Sequence, residues 1–161
     1  MRKPLVYYPD DRLKMVSDEV TEFDDALHTL AADLVDTMRH ENGIGLSAIQ
    51  IGVPKRVFVL GHDEGFAAFV NPEIVTRSEK LVDMPEGCLS FPRVYDRLGR
   101  PEAVYVRWYN LSGLTQEGQM DGLTARAFQH ELDHLNGITF DKYMTETARK
   151  VLARRARREQ K

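Results

Sequence analysis

Three residues inside the run QHELDHLNG, namely His130, Glu131 and His134, have the types and spacing to hold a metal ion and to work beside it. Residues four apart on a helix stack on one face, with Cβ atoms roughly 5 to 6 Å apart, so His130 and His134 can grip one ion between two turns. Glu131 then flanks the ion without ligating it, where a carboxylate can take a proton from water and later return it to a leaving group. The chain's only cysteine, Cys88, lies upstream in EGCLS. Two neutral imidazoles and a thiolate fill three positions around a divalent ion and leave a fourth open, the arrangement of a catalytic site; a structural site is closed by a fourth protein ligand. No second cysteine exists to close it. His28, His40 and His62 read as surface residues, while Asp141 and Glu146 stay open as downstream carboxylates of the kind that complete other HExxH sites.

These residues need a helix, and the sequence supplies one independently of the motif. Asp121 and Gly122 precede an apolar stripe of Leu123, Ala127, Leu132 and Leu135, and Asn136 with Gly137 follows it, giving start and stop signals for about four turns. A second amphipathic helix is expected over residues 22–41, where Phe23, Leu27, Leu30, Leu34 and Met38 share a face, with Thr21 as cap and Asn42–Gly43 as terminator. The run GIGLSAIQIGVP follows, its glycines permitting turns and close backbone approach. Arg56–Leu60, Ala67–Val70 and Ala103–Tyr109 read as strands, and Asn110, Ser112 and Gly113 turn the last of these into a partner at Leu114–Gln119. Cys88 reads as part of a loop. Strands precede the HELDH helix rather than alternating with helices, which predicts a single α+β domain. In that domain antiparallel or mixed sheets pack around a central metal-binding helix, with the amphipathic helix N-terminal to it and a basic helix after it.

Size and charge agree with one domain: 161 residues, no linker-like stretch, and a net charge of −3. The charge is uneven. Residues 145–161 carry seven basic and two acidic residues, a net +5, against −8 for the rest. Residues 1–144 are therefore expected to form the catalytic domain and 145–161 a basic helix packed on it or extending from it, with Val151 and Leu152 as a thin apolar contact. No eighteen-residue apolar run or secretory signal is present, and a single cysteine fits a reducing compartment, so a cytoplasmic protein without membrane or DNA partners is expected.

The blocks GIGLSAIQ, EGCLS and QHELDH, in that order and in a chain of this length, resemble peptide deformylase, and the likeness runs from PDDRL to GITFDKY. The resemblance implies a hydrolase of protein biosynthesis that removes the formyl group from N-formylmethionine at the start of nascent chains in bacteria or organelles. It implies that Cys88, His130 and His134 hold the metal, with Fe²⁺ favoured and Zn²⁺, Ni²⁺ or Co²⁺ as substitutes, and that Glu131 is the acid/base group. The Gln50 side-chain amide and the Leu89 backbone N–H would donate to the formyl oxygen. Ile44, Met84, Leu123 and Ala127 would line the methionine pocket, Leu123 and Ala127 facing inward, while the backbones of Gly45 and Gly87 pair the peptide as an added strand would. Glu86 and Arg100 would form an ion pair propping the cysteine segment. Two positions depart from the family pattern: Ser47 stands where an alanine is usual, placing a hydroxyl that needs a partner in a packed turn, and Tyr95 stands where a basic residue is common, with Arg93 and Arg97 beside it. The basic tail reads either as a solvated helix that keeps the protein soluble or as a surface that docks on the ribosome. Two rival functions, an HExxH endopeptidase and a non-catalytic metal- or ribosome-binding module, leave Gln50, Cys88 and Glu131 together unexplained.

Overall fold

A computed structural model describes residues 1–159; Lys161, counted with the basic tail, lies outside the described residues. Helix α1 spans Asp25–His40, and Asp24 rather than Thr21 caps it. The Asp24 carboxylate accepts from the Leu27 backbone N–H at 3.0 Å, pairing a free amide with a negative charge at the positive end of the helix. The helix stops where the sequence says it should: Asn42 takes a φ of 56° and the Gly43 N–H reaches back to the Met38 carbonyl at 2.9 Å.

Strands β1 (Gly45–Ser47), β2 (Val57–His62) and β3 (Gly65–Arg77) come next, followed by β4 (Leu81–Cys88) and β5 (Phe91–Pro101) and then by β6 (Ala103–Tyr109) and β7 (Thr115–Asp121). Helix α2 (Gly122–Leu135) follows directly, and α3 (Glu146–Glu159) ends the described chain. Strands β1, β2, β3, β6 and β7 form one antiparallel sheet in that order, whereas among the described residues β4 and β5 pair only with each other. The expected strand at 67–70 is thus the early part of a longer one, and the hairpin's return arm runs on to Asp121. EGCLS is not a free loop: Cys88 is the last residue of β4, and the chain turns at once into β5.

The central strand explains the layering. In β2, Val57 and Val59 join the cluster of Leu27, Leu34, Val35 and Met38 from α1, while Phe58 and Leu60 join that of Phe128, Leu132 and Leu135 from α2. Alternate side chains leave a strand on opposite faces, so four consecutive buried residues mean that both faces are covered. Helix α3 closes a third cluster, with Leu152 buried among Phe91, Val94, Phe140 and Met144; Val151, expected to share that contact, is exposed. The three clusters make one α+β domain with α2 at its centre.

Candidate metal centre

The helix brings His130 and His134 onto one face with ring centroids 5.0 Å apart, and the end of β4 brings Cys88 to them. The Cys88 Sγ lies 3.2 Å from His134 Nε2, and one donor atom from each of the three residues lies within 4.8 Å of the others. Bonds of about 2.0 to 2.3 Å to nitrogen and sulfur around a tetrahedral ion place donors roughly 3.3 to 3.7 Å apart, so the set is close to a ready coordination site. Asp141 and Glu146 do not join it. Asp141 accepts from Thr139, and Glu146 pairs with Lys150 on the surface. His28, His40 and His62 are exposed, as expected.

His130 is held in one tautomer. Its Nδ1 donates to Glu86 Oε1 at 2.6 Å, leaving Nε2 for the metal side. Burial works against a charge on either imidazole and keeps His134 neutral, well below the usual histidine range. At His130 burial has the same sense but is outweighed by the Cys88 sulfur and Glu86, so its proton affinity rises. Those two neighbours call for positive charge at this point, which a divalent cation supplies.

Glu131 is 4% exposed, and burial pushes its carboxyl up to about 7. Its Oε2 has no hydrogen-bond partner among the described residues, which leaves an acceptor available beside the metal ligands. Gly45 makes room for it: a Cβ there would sit 3.0 Å from Glu131 Oε1 and 2.9 Å from Leu60 Cδ2. Gly43 likewise accommodates Leu89, whose Cδ1 would lie 2.6 Å from an added Cβ.

Gln50 sits in the short 3-10 turn Ala48–Ile51 that follows β1 and is 1% exposed. Its Oε1 accepts from both the Ser47 backbone N–H and the Ser47 hydroxyl, each at 3.0 Å, so the unusual serine finds its partner here. The amide is thereby oriented with its NH₂ toward Ser90 Oγ at 3.1 Å and Cys88 Sγ at 3.6 Å.

Beneath the ligands lies a charge network that extends the expected Glu86–Arg100 pair. Arg100 donates to Glu86 at 2.6 and 2.8 Å and to Asp133 at 3.0 Å, and Arg126 donates to Glu86 at 2.9 Å. Burial would raise the Glu86 carboxyl, but the hydrogen bonds from Arg100 and His130 outweigh it and hold the group well below the usual carboxylate range.

A family model described as polypeptide deformylase matches residues 2–150. The chain belongs to the polypeptide deformylase family. It is 42% identical over 158 residues to the peptide deformylase of Rhizobium meliloti, covering 95% of this chain and 91% of that one. The crystal structure of the Ehrlichia chaffeensis peptide deformylase superposes with a TM-score of 0.94 at 32% identity over 100% of this chain and 98% of that one. A structure of the same enzyme in complex with actinonin gives a TM-score of 0.94 at 34% identity over 98% of this chain and 97% of that one.

Cys88, His130 and His134 form a metal site typical of deformylases. Next to it this deformylase-family chain has a cavity of about 400 Å³, lined by Ile44, Gly45, Gly87, Leu89 and Ala127 as well as by Glu131 and His130. Leu123 also lines it but is 58% exposed at the rim, in the first turn of α2, rather than facing inward. Met84 is absent from the lining: it lies farther along β4 from the Cys88 end, is 38% exposed, and the Arg126 side chain lines the wall instead. The Tyr95 ring lies across Gly87, where an added Cβ would come 2.5 Å from its Cε1. The parts played by Arg126 and Ser90, and the hub role of Glu86, are not legible in the sequence. A buried arginine on the apolar side of a helix is the one local signal, and its partner is forty residues away.

Proposed function

We propose that this chain is a metal-dependent peptide deformylase, hydrolysing the formyl amide of N-formylmethionine at the start of nascent polypeptides to give formate and a free amino terminus. The observation that carries the reading is the juxtaposition of an unpartnered, buried Glu131 oxygen and an oriented Gln50 amide with the Cys88, His130 and His134 donors. When bound there, a divalent ion supplies Lewis acidity for activating water and polarising the carbonyl. Glu131, with its carboxyl near neutrality, takes the proton from water and passes it to the departing methionine nitrogen. The Gln50 NH₂ and the Leu89 backbone N–H donate to the formyl oxygen as it gains charge. The methionine side chain occupies the cavity between Ile44, Leu123 and Ala127 and the stem of Arg126, and Gly45 and Gly87 present backbone to the peptide. The donor set of one thiolate and two imidazoles suits Fe²⁺, Zn²⁺, Ni²⁺ and Co²⁺ alike, and we favour Fe²⁺ from the family resemblance. Actinonin, bound by the Ehrlichia chaffeensis enzyme, is expected to bind the same cavity here.

We further infer a cytoplasmic enzyme whose residues 1–144 carry catalysis and whose residues 145–161 pack on that body and present basic side chains to the ribosome. No helix is long and apolar enough to cross a membrane among the described residues. The decisive assay is formate release from formyl-Met-Ala-Ser against acetyl-Met-Ala-Ser. Turnover of the formyl peptide alone is expected, because an acetyl carbon brings a methyl group to the metal site where a formyl carbon brings only hydrogen. Equal turnover of both, or cleavage of internal bonds, would overturn the reading.

A further inference from the structure

We propose that Arg126 is a positioning residue for the metal centre, the strut that sets the distance between the helix carrying the two imidazoles and the ribbon carrying the thiolate. This rests on the metal-site reading above but not on the identity of the substrate.

Arg126 lies one turn before His130 on α2 and is 6% exposed. Its guanidinium reaches both strands of the ribbon: Nη1 donates to Glu86 Oε2 at 2.9 Å and to the Leu98 carbonyl at 3.0 Å, and Nη2 donates to the Val82 carbonyl. The ribbon needs such a tie. Among the described residues β4 and β5 pair with nothing but each other, so no ladder hydrogen bonds fix the Cys88 end relative to the five-stranded sheet. Other polar ties join the ribbon to α2, Arg100 to Asp133 from the ribbon side and Gln129 to the Pro101 carbonyl and His130 to Glu86 from the helix side, but each reaches a single residue, whereas Arg126 reaches three on both strands.

The same guanidinium acts on His130 through one carboxylate. Glu86 accepts from Arg126 and Arg100 on Oε2 and from Arg100 and His130 on Oε1. With Arg126 in place the carboxylate is held from three sides, so its Oε1 is fixed where the His130 Nδ1–H must point. A planar guanidinium suits this task because it meets a carboxylate and two carbonyls in fixed directions; an ammonium does not. Arg126 also borders the cavity, so a truncated side chain there leaves space that solutes can reach.

The test uses Arg126→Ala, Arg126→Met and Arg126→Lys in the full chain, loaded with Co²⁺ as probe. Partners of metal-bound histidines typically contribute about 10- to 100-fold in metal affinity or activity. All three variants are expected to lose Co²⁺ affinity on that scale in chelator competition and to shift the thiolate-to-cobalt absorption, with kcat falling more than KM. Millimolar methylguanidinium should restore part of the loss in Arg126→Ala and none in Arg126→Lys, whose stem still fills the space. Should Arg126→Ala not fold, Arg126→Met and Arg126→Lys retain the stem and carry the same affinity and absorption readouts. Unchanged Co²⁺ affinity and spectrum in the folded variants, whatever their melting temperature, would overturn the proposal. A parent protein that binds Co²⁺ normally but releases no formate would instead count against the deformylase reading.

Discussion

On the proposed mechanism, the identity of residue 131 separates ion binding from turnover. Glu131 contributes no donor atom to the Cys88, His130 and His134 set, and Gln has nearly its shape. Glu131→Gln should therefore keep the metal, measured as metal per protein, while formate release falls by at least about 10² to 10⁴, the usual worth of a general acid/base. Near-parental turnover would remove Glu131 from the mechanism. Gln50 gives a second, different signature. Its amide is locked by Ser47 and Ser90 rather than by the metal ligands' own helix, so Gln50→Ala should leave metal content largely intact. The loss of one oxyanion donor should lower kcat by about 10² to 10³ with little change in KM. A rise in KM at constant kcat would mean that the amide binds substrate uniformly rather than its charged transition state.

Between elements, the approach of β1 to α2 determines where the Glu131 carboxylate lies. Gly45 is needed for space, because the Glu131 carboxylate and the tip of Leu60 occupy the volume a side chain would use. Gly45→Ala should displace the carboxylate by a few tenths of an ångström and reduce kcat roughly tenfold or more, since misplacement near 1 Å costs about 10². Stability measured by thermal melting should fall little, because the flexible Leu60 tip can yield. Parental kcat in the Gly45→Ala protein would show that the glycine serves only the fold. This contact also divides the local signals of the sequence from the long-range ones. The glycines of GIGLSAIQ announce a close approach, and the i, i+4 histidines and the Asn136–Gly137 stop announce the helix, because both are local signals. What approaches Gly45 is hidden by the long stretch of chain between it and Glu131. The β4–β5 ribbon is hidden for another reason: Pro85, Gly87, Pro92 and Gly99 interrupt its alternation. Proline fits there because each strand of a two-stranded ribbon is an edge. The partners of Arg126 and Asp133 are likewise out of local reach, forty and thirty-three residues away along the chain, until the ribbon folds over α2.

Across the whole molecule, the basic helix and the active site are mechanically joined. Leu152 buries against Phe91 and Phe140, and Phe91 and Cys88 belong to the same packed cluster. Arg155 also donates to the Arg93 carbonyl at 2.8 Å, and Arg149 to the Asp141 carbonyl at 2.9 Å. Deleting residues 145–161 would therefore uncover apolar surface behind the cysteine and disturb catalysis together with any ribosome contact. Charge reversal separates the two. Arg154, Arg157 and Arg158 are exposed and take no part in that cluster, so replacing all three with Glu should spare deformylation of a tripeptide. The same change moves the helix by six charges, and binding to a polyphosphate surface depends steeply on such charge and on salt. On the docking reading, the parent should co-sediment with ribosomes at low salt and release as salt is raised, and the triple variant should not co-sediment at all. If the triple variant co-sediments like the parent while its tripeptide turnover is intact, the basic helix is a solvated face that stabilises the cysteine side of the core, and nothing more.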